Sequence, residues 1–336
     1  MNFAFRVGLA AAIVTCLPAL ASAQSNVQVN GQVRLTVNHI SVDGGNSLNE
    51  LRDNASRLSF RGTEELGGGL RAAFGMEFGF GADTGAMGDP NFRHSYVGLV
   101  GNWGALTLGR LDSGTPSGSP LYSQVTSITS FAPNDSGATA IGTSMLNARN
   151  RVSNAIGYAS PRMGGFIARA RYYLRGAGTG TEAEDDARSL DLGLNYENGP
   201  LKLALGYGKD ERSGVLKAAE FDDKWQAGVR YDFGMFEPYA LVGVDRFAPK
   251  AGNRRSVRYW IAGVKAGADA HSMVFNLLGR QVLANPKGER RRGQLAYMYK
   301  LSKRTELQAF VDVDDADSSK SKDRTRAVGA GIRHDF

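Results

Sequence analysis

The chain has 336 residues, one cysteine and 43 glycines, and its 40 Lys and Arg residues against 33 Asp and Glu residues give a net charge of +7. A single cysteine excludes an internal disulfide and a zinc site built from several thiolates. The long apolar run at residues 7–20 is shorter than the roughly 20 residues of a transmembrane helix, and no second run of helical length follows it.

The N-terminus has the layout of a secretory signal. A short basic region ends at Arg6, the apolar run follows, and Ala21-Ser22-Ala23 supplies the small-x-small motif that signal peptidase requires. We therefore expect a signal peptide at 1–23 and an exported mature chain of 24–336, with an uncleaved N-terminal anchor as the alternative. Cleavage would remove Cys16 and leave no thiol nucleophile or Cys-based metal site. Export makes nucleic acid an unattractive partner for the positive charge.

The mature chain alternates apolar and polar residues with a period of two. Between Val27 and Asn38 the odd positions are valine, leucine or glycine, and the even positions are polar. Between Leu70 and Phe80, Arg71 and Glu77 lie on the face opposite the aromatic residues. These segments are longer than an average soluble strand. In a membrane barrel the apolar face points to lipid and the polar face to the lumen.

Sixteen strands follow from this pattern. They are predicted at 27–38, 57–62, 70–80, 92–100, 105–110, 151–159, 166–174, 188–196, 201–208, 223–233, 237–247, 257–266, 271–280, 293–301, 306–314 and 326–336. Seven short turns alternate without exception with eight longer loops, at about 40–56, 81–91, 111–150, 175–187, 209–222, 248–256, 281–292 and 315–325. An up-and-down membrane barrel has this alternation, with turns in the periplasm and loops outside. A large soluble β-sandwich, the alternative, would mix connection lengths.

Five segments resemble the general porins of betaproteobacteria and Neisseria. They are residues 57–69, Ser95–Leu99, Thr107–Arg110, Arg151–Asn154 and Gly331–Phe336. The resemblance spans the mature chain and implies a 16-stranded antiparallel transmembrane β-barrel in the outer membrane. It also implies a homotrimer without a cofactor, through which small hydrophilic solutes and inorganic ions diffuse down their gradients. The implied partners are outer-membrane lipid, lipopolysaccharide and the barrel-assembly machinery.

Two further features follow from the resemblance. The third long loop, 111–150, is expected to fold into the lumen and form the pore constriction, which would explain the unusual length of this connection. The terminal Phe336 is expected to act as the assembly signal of a last strand that closes onto the first. Closure leaves no unpaired strand edge in lipid, where each unpaired backbone group costs several kcal/mol.

Arginines recur at lumen-facing positions of the predicted strands. They are Arg34, Arg57, Arg61, Arg71, Arg93, Arg151, Arg169 and Arg171. A row of guanidinium groups creates a positive potential that favours anions. The resemblance to anion-selective porins falls on Arg57, Arg93 and Arg151. In the alternative interpretation these arginines pair with loop acids such as Asp112 and Asp135 and only hold the loop in place.

Two other functions are open at this point. An outer-membrane barrel enzyme needs a nucleophile beside a histidine, but none of the four histidines lies in a nucleophile motif or at metal-ligand spacing. We therefore predict no catalytic residues and no metal. A substrate-specific channel for sugars would carry aromatics along its lumen, whereas the aromatic residues here have mainly lipid-facing parity.

Overall fold

The computed structural model describes residues 26–130, 149–174, 188–211, 222–247, 254–283, 288–318 and 322–336. In these residues the chain forms one antiparallel sheet and one short helix. The strands are β1 (Asn26–Val42), β2 (Leu48–Asp53), β3 (Arg57–Gly67), β4 (Leu70–Phe80), β5 (Met87–Gly101), β6 (Gly104–Leu111), β7 (Val152–Ala159), β8 (Phe166–Tyr173), β9 (Arg188–Asn198), β10 (Leu201–Glu211), β11 (Asp223–Tyr231), β12 (Phe236–Phe247), β13 (Arg255–Ala268), β14 (His271–Val282), β15 (Gly288–Lys300), β16 (Thr305–Ser318) and β17 (Lys322–Asp335). Helix α1 (Tyr122–Ile128) lies between β6 and β7. The predicted signal peptide at 1–23 lies outside the described residues and remains a prediction.

The sheet closes on itself as a barrel. The strands pair antiparallel in chain order, and β1 also pairs with β17. Strands β2 and β3 occupy one position in the barrel, because β2 pairs with residues 35–40 of β1 and β3 with residues 26–32. Their break contains Ala55 with φ of 66°. The seventeen assigned strands therefore fill sixteen barrel positions, and the predicted strand number is confirmed.

The two faces of the barrel differ in polarity. Large apolar side chains stand exposed on the outer face, with Val37 at 63%. The inner face carries buried polar side chains such as Thr36, Gln226 and Asn276. A soluble barrel would have the reverse arrangement. No helix among the described residues is long and apolar enough to cross a membrane.

Several strands extend further toward the long connections than the sequence predicts. Strand β16 continues to Ser318 and β17 begins at Lys322, inside the predicted loop 315–325. The predicted loop 40–56 contains β2, which is a correction of the same kind. For β16 and β17 the reason is that backbone pairing continues beyond the apolar band, where both faces of the strands are polar and apolar alternation no longer marks them. Strand β2 pairs within the apolar band, with Leu51 opposite Val37, but it is only six residues long and its two leucines stand three residues apart, so it shows no alternation.

Phe336 makes the last contact of the β1–β17 seam that closes the barrel. Its backbone amide donates to the Gly31 carbonyl at 3.0 Å, and its carbonyl accepts from the Gly31 amide at 2.9 Å. The Phe336 ring lies over Gly31, where a Cβ atom would stand 2.2 Å from the ring. Gly31 is therefore the residue type that lets the terminal ring pack flat on the outer face of the first strand.

Candidate functional site

A buried carboxylate on β4 gathers three arginines on the inner face. Arg93 Nε lies 2.7 Å from Glu77 Oε1, while Arg61 Nη2 and Arg57 Nε lie 3.5 and 3.7 Å from Oε2. Ser59 is the direct cross-strand partner of Glu77, so the arginines two residues either side of Ser59 are its diagonal neighbours. Long side chains reach across that diagonal spacing.

A β-bulge brings the third arginine to the same carboxylate. Glu77 pairs with His94 and Phe78 pairs with Phe92, which leaves Arg93 as an additional residue in β5. Bulges of this kind redirect a side chain, and they recur beside functional sites. As a result, both Arg93 and His94 lie against Glu77.

The charges around Glu77 do not balance. Three guanidinium groups contact one carboxylate, and the side chains of Arg57 and Arg61 are 32% and 41% exposed. Guanidinium remains charged at every physiological pH. Positive charge in excess of what Glu77 neutralises therefore meets the solvent inside the barrel.

Asp112 holds the start of the connection between β6 and β7. Its carboxylate lies 3.1 Å from His94 Nδ1 and 3.8 Å from Arg151 Nε, and it accepts a 2.7 Å hydrogen bond from the Gly114 amide. Burial alone would raise the pKa of Asp112. Contact with His94, the Gly114 amide and Arg151 outweighs burial and holds the pKa of Asp112 below its usual value. Because Asp112 is buried, it anchors the chain and presents little carboxylate surface to the lumen.

Together, Glu77, His94 and Asp112 have the donor types of a metal site. Their candidate ligand atoms lie within 4.8 Å of one another. However, Glu77 already contacts three guanidinium groups, and Asp112 lies near a fourth. A divalent cation would be repelled by these charges at close range. We therefore assign no metal to these three residues. Together with the four neighbouring arginines they form what we call the Glu77 cluster: Arg57, Arg61, Glu77, Arg93, His94, Asp112 and Arg151.

Arg171 differs from the prediction of a pore-lining residue, because its side chain is 0% exposed. It lies 2.9 Å from Asp191 and donates to the carbonyl oxygens of Asn150 (2.7 Å) and Arg149 (3.1 Å). Arg149 in turn contacts Asp191 at 2.8 Å and Asp210 at 2.7 Å. Arg171 therefore holds the end of the connection between β6 and β7.

Three more predicted arginines lie outside the Glu77 cluster. Arg169 donates to Asn195 at 2.6 Å, and Arg34 donates to Gln308 at 3.2 Å. Arg71 lies 3.9 Å from Glu65, beside the turn after β3. It is six residues from Glu77 along β4, about 20 Å. The predicted loop acid Asp135 lies outside the described residues.

Helix α1 packs on inner-face side chains of β10–β14. Val125 and Ile128 are fully buried in a cluster with Ala204, Leu241, Tyr239, Tyr259, Ile261 and Leu278. Gln226 donates to the Leu121 carbonyl at 2.5 Å, and Asn276 donates to the Ser130 carbonyl at 2.8 Å. An apolar patch on an otherwise polar inner face therefore receives the helix. The strand residues of this patch all stand at inner-face positions of the alternating pattern. Apolar residues at such positions were the sequence signal for the patch, and the prediction did not include it.

The inner wall from β8 to β16 carries charge pairs that the sequence-based prediction missed. Lys224 and Asp245 are fully buried 2.5 Å apart, Arg292 pairs with Asp312, and Arg230 pairs with Glu237. Lys224 and Asp245 are direct cross-strand partners. With Arg171 and Asp191 we call these pairs the paired wall. Opposite charges at matching inner-face positions of neighbouring strands were the signal available for finding them.

Comparison with known proteins agrees with this architecture. The model of a family described as Gram-negative porin matches residues 8–319. The chain is 30% identical to outer membrane porin protein 32 of Delftia acidovorans, over 98% of this chain and 99% of the relative. It is 28% identical to an outer membrane porin protein of Bordetella pertussis, again over 98% of this chain and 99% of the relative.

Solved structures give the same result. An anion-selective porin from Comamonas acidovorans superposes with a TM-score of 0.74 at 25% identity, covering 93% of this chain and 100% of that one. The family match and the full-length relative, together with a closed barrel that is apolar outside, show that the chain belongs to the Gram-negative porin family of the outer membrane.

Proposed function

We propose that this porin is a water-filled passive diffusion channel for small hydrophilic solutes and that it prefers anions. As a member of the porin family it is a channel and not an enzyme. The observation that carries the selectivity proposal is the excess of guanidinium over carboxylate in the Glu77 cluster. Fixed positive charge on a pore wall raises the local anion concentration and lowers that of cations.

The proposed selectivity residues are Arg57, Arg61, Arg93 and Arg151. All four contact Glu77 or Asp112, and all four retain some exposure to solvent. The similar porin from Comamonas acidovorans is described as anion-selective, which supports extending that property to this chain. We propose weaker contributions to the field from Arg34, Arg71 and Arg169, because they lie apart from the Glu77 cluster.

We further propose that the connection between β6 and β7 narrows the pore. Its start is held by Asp112, its end by Arg149 and Arg171, and α1 between them packs on the inner wall. A segment attached at three places on the inner wall reduces the free cross-section of a barrel. The predicted constriction extends over residues 111–150, of which residues 131–148, with Asp135, lie outside the described residues.

The test is single-channel recording in planar bilayers. We expect stepwise conductance. In a KCl gradient the reversal potential should have the sign of the chloride equilibrium potential. Changing Arg57 and Arg93 to Ala should move the reversal potential toward zero. The control is Arg162→Ala, because Arg162 forms an exposed ion pair with Glu197 near a short turn, and it should leave the reversal potential unchanged. Absence of conductance steps would refute the channel. A cation preference in the wild type would refute the role of the arginines.

The remaining parts of the proposal concern maturation and assembly. We propose a signal peptide at 1–23, a homotrimer, and recognition of Phe336 by the barrel-assembly machinery. One structural relative, OmpT of Vibrio cholerae, is described in a trimer form. N-terminal sequencing of the purified protein should begin at Gln24. A gel should show a trimer band that disappears on boiling, and a monomer band without boiling would contradict the trimer.

A further inference from the structure

Two arginines face each other on the inner wall of β14 and β15. Arg280 and Arg290 are direct cross-strand partners. Direct partners point to the same face of a sheet, with their Cβ atoms about 5 Å apart. Arg280 shares the parity of the buried inner-face residue Asn276, so both guanidinium groups belong to the inner wall. Like charges placed directly opposite each other destabilise a sheet, so this arrangement has a cost for the fold.

Arg280 has no carboxylate partner in the part of the chain that the structure describes. Its side chain is partly buried, and no described residue forms an ion pair or a hydrogen bond with it. The charged groups whose fields act on it are Asp245, Arg290 and Arg255. Asp245 is already paired with Lys224 at 2.5 Å. Arg280 is therefore an unmatched cation that lies among the matched pairs of the paired wall.

Arg290 is paired, but only along one edge of its guanidinium group. Asp314 accepts from Arg290 Nε at 2.9 Å and from Nη2 at 2.5 Å. A guanidinium group carries five N–H donors, so the edge that includes Nη1 is left over. No described residue accepts a hydrogen bond from Nη1, and the side chain is 36% exposed. The two arginines therefore offer donors to the lumen from both sides of one space.

We infer that Arg280 and Arg290 together bind one divalent oxyanion of the phosphate type, in a saturable site separate from the Glu77 cluster. The inference rests on the proposed function as an anion channel. An oxyanion between the two guanidinium groups replaces their mutual repulsion with two charge-assisted contacts. The oxygens of a tetrahedral anion can face both groups at once, each through parallel hydrogen bonds. Chloride has a single charge and no such geometry.

The position of the two arginines separates them from the Glu77 cluster. Arg280 lies near the end of β14 at Val282, and Arg290 lies near the start of β15 at Gly288. These strand ends lead to a long connection, which in a membrane barrel faces the outside of the cell. Around the barrel, β15 is separated from β3 by β16, β17 and β1, which is about 19 Å along the wall. That distance exceeds the Debye length of about 8 Å at physiological ionic strength, so the two regions can be tested separately.

The experiment is calorimetric titration of the purified full mature protein in detergent. The probe is inorganic phosphate at about pH 8, where it carries close to two negative charges. The wild type should bind one phosphate per chain, and R280Q should raise the dissociation constant about tenfold, because one guanidinium contact is lost. Arg246→Gln is the matched control, because Arg246 forms an exposed pair with Asp223 at 2.8 Å on the outer face, at the same end of the barrel.

A second variant, D314N, should have the opposite effect. It removes the carboxylate that competes for Arg290, so phosphate should bind about threefold more tightly. Without phosphate, R280Q should melt no lower than the wild type, because it removes a like-charge contact. A purely structural role of Arg280 predicts a lower melting temperature in R280Q and no gain of binding in D314N.

The inference is overturned if the wild type does not bind phosphate, or if R280Q binds it like the wild type. It is also overturned if Arg246→Gln weakens binding as much as R280Q does, or if monovalent acetate binds as tightly as phosphate. Failure of the proposed function has a different signature, because a cation preference in KCl is measured without phosphate. Phosphate binding that is lost in R280Q would then still establish the site.

Discussion

The inner wall arranges its charges in two ways. On β3–β7, the Glu77 cluster places several guanidinium groups around Glu77 and Asp112, and the arginines there reach solvent. On β8–β16, the paired wall matches each cation with a carboxylate, and Arg171 and Lys224 are fully buried. Both regions consist of inner-face residues of the same barrel, so inner-face parity in the sequence does not distinguish them.

The difference separates two functions of charge. A buried cation with a matched carboxylate produces little field at a distance, and its main effect is to hold its partners. In the paired wall those partners include the end of the connection between β6 and β7, through the Asn150 and Arg149 carbonyls. An unmatched cation at the solvent boundary projects a field into the lumen. We therefore expect substitutions in the paired wall to change stability and those in the Glu77 cluster to change selectivity.

The largest effect is expected from Asp191→Leu in the paired wall. The change leaves Arg171 fully buried without its carboxylate and removes one partner of Arg149. Breaking a buried ion pair on one side costs about 3–5 kcal/mol. The free energy of unfolding in urea, followed by tryptophan fluorescence in detergent, should fall by that amount. Glu197→Leu, which disrupts an exposed pair, should cost less than about 1 kcal/mol, and equal losses for the two variants would contradict the assignment.

The next effect is expected from Glu77→Gln. This change removes the carboxylate that partly neutralises Arg57, Arg61 and Arg93. The loss of one unit of negative charge from the inner face should raise the chloride-to-potassium permeability ratio about threefold. The reversal potential in a KCl gradient measures it. Glu65→Gln, beside the exposed Arg71, serves as the control. If the permeability ratio fell in Glu77→Gln, the main role of Glu77 would be to position the arginines.

A smaller effect is expected from salt alone. Raising KCl from about 0.1 M to about 1 M shortens the Debye length from about 10 Å to about 3 Å. The permeability ratio of the wild type should approach one, because the Glu77 cluster acts through solvent. The stability difference between the wild type and Asp191→Leu should stay nearly constant, since buried pairs are screened much less. A permeability ratio that does not change with salt would indicate that the channel selects ions by size and not by charge.

The smallest effect concerns Asp112 at acidic pH. Its pKa is lowered in the folded protein, so its contribution to stability is present above the pKa of the unfolded chain and is lost as pH falls through the lower folded pKa. Asp112→Asn should cost about 1 kcal/mol at pH 7. That difference should persist to about pH 4 and shrink only below it. Parallel melting curves between about pH 5 and pH 3 check this, and a difference that disappears above pH 5 would contradict it.

Much of the fold could be predicted from the sequence. Alternation marks a strand wherever one face meets lipid, as from Val27 to Val37, and the turns between such segments are short. The signal fails where the strands leave the apolar band, as at the ends of β16 and β17, and in a strand too short to alternate, as in the six residues of β2. The sequence therefore predicts loops there, although the backbones pair.

The site could be predicted only in part. Parity placed Arg57, Arg61 and Arg93 on the inner face, and the structure brings them together around Glu77. Parity indicates which face of the barrel a side chain lies on. It does not indicate how far along the barrel the side chain lies or which residue it contacts. Arg71 has the same parity at the far end of β4, and Arg171 has it in a buried pair. Those distinctions depend on cross-strand register and on where the chain between β6 and β7 packs.

The seam between Gly31 and Phe336 joins the two ends of the described chain. The contacts that close the barrel are therefore the most distant in sequence that the fold can make, and the chain must order nearly all of its strands before these contacts can form. Such topologies fold slowly and expose unpaired edges while they do so. A chain shortened by its last residue would lose both hydrogen bonds to Gly31 and the ring that covers it. Strands β1 and β17 would still pair at the eleven positions from Gln32 to Val42, so the seam would lose only its last contact.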